Sequence, residues 1–155
     1  LKDGPILGFH AIGARMGEQV GEGQLMVSWE ADADDVAALV TFYEKVPGLP
    51  APRLHPLFAE FATPTGTLAI ASSQTISLLG ENALEPRANR SVTLDFLVDD
   101  VDALYPTLQG VVDDFVNQPT TMPWGNRSLL FRDPDGNLVN LFSPATDDAQ
   151  ARFAQ

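Results

Sequence analysis

Polar and apolar residues alternate along Gln24-Leu25-Met26-Val27-Ser28-Trp29-Glu30, the two-residue period of a strand with one buried face. The period then lengthens. Val36, Leu39, Val40, Tyr43 and Val46 recur at three- and four-residue intervals, which predicts a helix from Asp32 to Val46, with acidic residues at its start and Pro47-Gly48 at its end. Pro50, Pro52 and Pro56 punctuate a loop or an edge strand. Leu57 to Thr63 and Thr67 to Ala71 read as a hairpin joined through Pro64-Thr65-Gly66. Ser72 or Ser73 then caps a short helix through Leu79, ending at Gly80.

After a connection from Asn82 to Asn89 the same order returns: a strand from Ser91 to Val98, a helix from Asp99 to Leu108 closed by Gly110, and strands Val111 to Asn117, Arg127 to Arg132 and Leu138 to Phe142. Asp133-Pro134-Asp135-Gly136-Asn137 joins the last two as a turn, because proline presets one dihedral while glycine and asparagine tolerate the left-handed region. Asp34-Asp35-Val36-Ala37-Ala38-Leu39 matches Asp99-Asp100-Val101-Asp102-Ala103-Leu104 at a constant offset of 65 residues. Both copies follow a strand and open a helix, with the acidic pair at the positive end of the helix dipole. The repeat defines two βαβββ modules, about 24–84 and 90–144, within one domain over 24–144. Residues 1–23, with six glycines and little periodicity, read as an N-terminal extension, flexible or partly foreign to the native chain, in which Met16 sits like an alternative start. Residues 145–155 read as a C-terminal tail.

Composition narrows the chemistry. The 155 residues are 45% hydrophobic, enough for one domain to bury its own core. Cysteine is absent, which excludes disulfides, thiolate nucleophiles and Cys-ligated zinc. No apolar run reaches membrane-spanning length, and Pro5-Ile6-Leu7-Gly8-Phe9 is too short for a secretory signal, so the chain is expected to be cytoplasmic with no membrane partner. Nine basic against 21 acidic residues give a formal charge of −12, which repels a phosphate backbone and favours a cation over nucleic acid.

The second half carries a family resemblance. Thr93-Leu94-Asp95-Phe96-Leu97-Val98-Asp99-Asp100-Val101-Asp102-Ala103, Pro123-Trp124-Gly125-Asn126-Arg127-Ser128 and Phe131-Arg132-Asp133-Pro134-Asp135-Gly136-Asn137-Leu138 resemble the second module of the glyoxalase / bleomycin-resistance / extradiol dioxygenase (vicinal oxygen chelate) family. The first module is compatible through Asp35 to Phe42-Tyr43 and Val46-Pro47-Gly48, where the family usually has Leu before Gly. The resemblance, over roughly residues 24–144, implies an α+β fold in which two βαβββ modules form a curved mixed sheet around a cavity, commonly completed in a homodimer. It also implies, for many members, one divalent metal held by His, Gln or Glu on four strands.

Carried onto this chain, those metal positions fall on Ser28, Thr93 and Asn140, with the fourth at Ala69. Neutral hydroxyls, an amide and a methyl group supply too little charge to hold a divalent metal tightly, so no metal is expected. The histidines, His10 in the extension and His55 in the Pro-rich segment, lie off the predicted cavity strands and read as surface residues.

Side chains at i and i+2 share a strand face, so if Ser28 and Thr93 line the cavity, Met26, Glu30, Asp95 and Leu97 do too. Glu30 and Asp95 differ by the repeat offset of 65, which sets two carboxylates at related positions, either paired in the cavity or at strand ends, solvated or bridged to Arg127 or Arg132. Trp124 walls the pocket or packs its own turn, Phe142 shares the face of Asn140, and Trp29 points into the core. The expected ligand cavity thus comprises Ser28, Glu30, Thr93, Asp95, Trp124, Asn140 and Phe142. Its expected use is metal-free binding of a small molecule, a cationic or aromatic compound held by acids and rings. The alternative is a divergent lyase, isomerase or dioxygenase with Glu30 or Asp95 as base or unusual metal ligand. A third reading is a cavity filled by its own side chains.

Overall fold

In the computed structural model, which describes residues 8–13, 24–26, 33–46, 53–55, 57–63, 66–72, 74 and 87–154, the chain runs β1 (Gly8–Gly13), β2 (Gln24–Met26), α1 (Ala33–Lys45), β3 (Arg53–His55), β4 (Phe58–Thr63), β5 (Gly66–Ala71), β6 (Val92–Leu97), α2 (Val101–Leu108), β7 (Asp114–Phe115), β8 (Thr120–Thr121), β9 (Asn126–Arg132), β10 (Leu138–Pro144) and α3 (Asp147–Phe153). The two modules repeat one topology. β2-β5-β4-β3 and β6-β10-β9-β7 have the same order, with the short β8 added beside β9; each first strand is parallel to its module's last, and each last is antiparallel to the strand before it. The parallel pair follows from the helix between first and second strands, which supplies the long crossover such pairing needs.

The α+β class and the two modules agree with the sequence pattern, and the described strands hydrogen-bond as two sheets. Gly8–Gly13, expected to lie outside the domain, pairs antiparallel with the whole of β6, which sets His10 at the register position opposite Asp95. Glycine-rich and without polar-apolar alternation, this segment gives no strand signal of its own; the free edge of β6 supplies the partner. The Pro-rich segment is settled as an edge strand, β3, holding His55. Residues 147–153 form a helix, not a tail: Thr146 caps it by accepting a hydrogen bond from the Ala149 N–H, and Phe153 packs on Phe142 with ring centroids 5.3 Å apart. The expected helix from Ser72 or Ser73 to Leu79 falls largely outside the described residues.

The core forms one cluster across both modules. Val36, Leu39, Val40, Tyr43 and Val46, the predicted helical stripe, are all buried in it. From α1 the Tyr43 ring meets Phe61 on β4 and Phe96 on β6, at 5.9 and 6.2 Å, while Phe42 meets Phe131 on β9 at 6.1 Å. The first module's helix is thereby fastened to the second module's sheet by apolar contact.

One polar contact lies inside this apolar layer. The Tyr43 hydroxyl donates to Asp133 Oδ2 at 2.6 Å, across 90 residues of sequence. Asp133 Oδ1 accepts from the Asp135 and Asn137 N–H groups at 3.1 and 2.9 Å, and the Asn137 side-chain amide donates to the same carboxylate. Gly136 N–H closes the turn on the Asp133 carbonyl, with Gly136 at φ +83. Asn137 does not use the left-handed region that asparagine tolerates. It is held for its amide, whose Oδ1 accepts from Asn89 Nδ2, while Arg87 donates its backbone N–H and offers its guanidinium to Asp135.

A buried hydrogen bond to a carboxylate contributes about 1.5–3 kcal/mol, and losing its donor leaves the acceptor underserved. Tyr43→Phe is therefore expected to lower the unfolding free energy by about 2 kcal/mol in urea titration at neutral pH. A variant as stable as the parent would show that this bond adds nothing to stability.

Candidate ligand-binding site

Strand alternation sorts the second sheet into two faces. Leu94 and Phe96 of β6, Leu129 and Phe131 of β9, and Val139 and Leu141 of β10 enter the core beneath α1 and α2. Thr93, Asp95 and Leu97, then Asn126, Ser128 and Leu130, then Leu138, Asn140 and Phe142, therefore occupy the other, inner face. Strand register sets Asn140 beside Asp95, Phe142 beside Ser128 and Pro144 beside Asn126.

Asp95 sits in the middle of β6 and is only 6% exposed; Ser128 is 1% exposed. The Asn140 amide donates to the Asp95 carboxylate. Four oxygens on this face, Asp95 Oδ1, Asn126 Oδ1, Ser128 Oγ and Asn140 Oδ1, are buried without a hydrogen-bond partner. Native proteins rarely tolerate such atoms, each costing roughly 1–3 kcal/mol, so four on one face mark it out. Neither arginine named as a bridge to Asp95 reaches it. Arg127 grips Asp102 of α2 with two hydrogen bonds of 2.7 and 2.8 Å, and Arg132 donates to the Gly136 carbonyl and lies 3.9 Å from Asp114.

The other predicted site residues divide. Thr93 is half-buried on the same face as Asp95. Phe142 shares the face of Asn140, but its ring is taken by Phe153. Trp124 is 58% exposed in the turn before β9, where its carbonyl accepts from Arg152. Ser28 and Glu30 lie outside the described residues, so the Glu30/Asp95 pairing is represented here by Asp95 alone. Asn126 and Ser128, part of a motif that carries the family resemblance but not expected at the cavity, join the face. Their signal is the alternation with Arg127, Leu129 and Phe131, which gives them the side opposite the core.

The donor set fits a divalent metal poorly. Ala69, buried on β5, has no donor atom, and Thr93 and Asn140 offer neutral oxygens. Among the described residues no group of three or more His, Asp or Glu gathers as a metal site would require.

Burial pushes the Asp95 carboxyl up to about 6 against the opposing hydrogen bond from Asn140. Burial also pushes Asp133 up to about 6, although Tyr43, Asn137 and the Asp135 N–H all donate to it. A carboxyl raised on folding binds more protons in the folded than in the unfolded chain, so its stabilising contribution is complete below about pH 4 and is lost as pH rises to about 6.

The fold agrees with what comparison with known proteins finds. Residues 31–141 match the model of the Glyoxalase/Bleomycin resistance protein/Dioxygenase superfamily, and the chain belongs to that family. It is 31% identical over 115 residues to the uncharacterized protein YraH of Bacillus subtilis (strain 168), covering 70% of this chain and 90% of that one. Among solved structures, a glyoxalase/bleomycin resistance protein/dioxygenase from Nocardioides superposes with a TM-score of 0.67 at 23% identity, covering 86% of this chain and 89% of the other. A family enzyme from Burkholderia phytofirmans PsJN gives 0.66 at 16% identity over 78% and 96%. These structures bear on the fold alone. No helix among the described residues is long and apolar enough to cross a membrane.

Asp95→Asn replaces the titrating group with a neutral one of the same shape. Relative to the parent, its unfolding free energy is expected to rise by about 2–3 kcal/mol between pH 4 and pH 7, measured by urea titration at each pH. A difference that does not change with pH would place the Asp95 carboxyl in water.

Proposed function

We propose that this chain is a small-molecule-binding member of its family that works without a divalent metal, taking a cationic or aromatic compound on the inner face of the second module. The observation that carries this reading is the row of buried, unpartnered oxygens around Asp95 and Asn140. A carboxylate and neutral oxygens welcome a cation or a hydrogen-bond donor and repel an anion. The chain's net charge of −12 acts in the same direction at long range. The poor donor set at Thr93, Asn140 and Ala69 supports the metal-free part. Binding without turnover amounts to sequestration.

A second reading is favoured by one specific observation, the Asp95 carboxyl raised to about 6 with Oδ1 free to accept a proton. Such a carboxylate can serve as general base in lyase or isomerase chemistry. In that case Asp95→Asn abolishes turnover of a bound substrate while leaving its binding in place.

Thermal denaturation against a panel of amphipathic and cationic aromatic amines tests the binding reading. A ligand at 100 times its Kd adds about 2.7 kcal/mol, a rise in Tm of several degrees. A bound cation gains from the ionised form of Asp95, so its affinity is expected to be highest above pH 7 and to fall by up to about tenfold per unit below pH 6. Silence across the panel would contradict binding, and stoichiometric Ni, Zn, Fe or Mn in natively purified protein would contradict the metal-free part.

A further inference from the structure

The four unpartnered oxygens also specify what kind of ligand suits them. Asp95 Oδ1, Asn126 Oδ1 and Asn140 Oδ1 can only accept when the carboxylate is ionised, and Ser128 Oγ can accept. Among the described side chains, Asn140's amide is committed to Asp95, Arg127 to Asp102 and Arg132 to the Gly136 carbonyl. None of these three supplies the donors that the four oxygens call for.

The oxygens are also spread out. Asp95 and Asn140 are lateral neighbours, about 4.8 Å apart from strand to strand. Asn140 lies level with Leu130 on β9, from which Ser128 and Asn126 follow along the same face at steps of about 7 Å. The row turns a corner and runs roughly 15 Å from Asp95 to Asn126. No single metal ion spans that, since its oxygen ligands must converge to within about 2.0–2.6 Å. A quaternary ammonium brings charge but no N–H, and leaves every one of these acceptors unpaired. A phosphate or carboxylate sets acceptor against acceptor at three of the four, with only the Ser128 hydroxyl able to donate to it.

Resting on the binding reading above, we infer that the ligand is an amino-polyol: a primary amine carrying further hydroxyl or N–H donors along an extended frame. Its ammonium pairs with Asp95 Oδ1 and Asn140 Oδ1, and its neutral donors reach Ser128 Oγ and Asn126 Oδ1. A charge-assisted bond at the Asp95 end is the stronger contact, and the neutral bonds set orientation. The oxygens are closed over in the ligand-free chain, so binding requires whatever covers them to part.

Titration calorimetry at pH 7.5 with three probes tests this. Kanamycin has amines and hydroxyls on an extended frame, phenyltrimethylammonium has charge and a ring without N–H donors, and sorbitol has hydroxyls without an amine. Kanamycin is expected to bind measurably more tightly than either of the others. Asp95→Asn is expected to weaken it on the order of 10- to 100-fold, and Ser128→Ala and Asn126→Ala by up to about tenfold each. Circular dichroism checks that each variant is folded, and the two β9 variants keep the test open if Asp95→Asn is not. Phenyltrimethylammonium binding as tightly as kanamycin, through Asp95, would overturn the amino-polyol while leaving the binding reading standing. Kanamycin binding unaffected by all three variants would overturn the site. No binding by any probe or by the amine panel would overturn both.

Discussion

The hydrogen bond from Tyr43 to Asp133 is the contact on which the rest of the structure turns. It joins a helix of the first module to the turn between the last two strands of the second. The same carboxylate gathers the Asp135 and Asn137 N–H groups, and through Asp135 and Asn137 the turn holds Arg87 and Asn89. Asn89 in turn accepts from the first residue of β6. One buried carboxyl thereby fixes where β6, β9 and β10 begin or end relative to α1. The surrounding rings of Phe42, Phe61, Phe96 and Phe131 supply most of the stabilisation, because burying apolar surface on this scale outweighs any single polar contact. They are non-directional, and the carboxylate supplies the direction that sets the register.

Register is what makes the inner face. With Val139 and Leu141 committed to the core, Asn140 has to point the other way and meet Asp95. With Leu129 and Phe131 committed, Ser128 and Asn126 follow. A slip of one residue would exchange the two faces, bringing apolar residues inward and acceptors into the core. The site's chemistry is then decided by which polar groups lack a counterpart. Arg127 and Arg132 of β9 find partners at Asp102 and Gly136, and the four oxygens do not. Among the described residues, the face offers one carboxylate, Asp95, and neutral oxygens.

Much of this was legible in the sequence. The stripe from Val36 to Val46, the offset of 65 and the Asp133 to Asn137 turn are local patterns, and local patterns report periodicity and turn chemistry directly. Asp95 could be placed on the cavity face by two-residue alternation from Thr93 and by the repeat, and Asn140 by the family resemblance. Other features depend on contacts distant in sequence. Nothing near Asp133 announces a tyrosine 90 residues away. Gly8–Gly13 becomes a strand only because β6 has a free edge, and Phe142 meets Phe153 because a helix at residues 147–153 folds back onto it. Trp124 read either as a wall of the pocket or as packing for its own turn, and its side chain is largely exposed.

Ligand binding on this face requires Asp95 to be an enclosed carboxyl whose free oxygen awaits a donor. The most direct measurement follows the side-chain carboxyl carbon resonance of Asp95 against pH in the labelled, ligand-free protein. Enclosure predicts a midpoint near 6. A midpoint at the ordinary value of 3.8 would mean that water already serves Asp95, and that the inner face is not the site described.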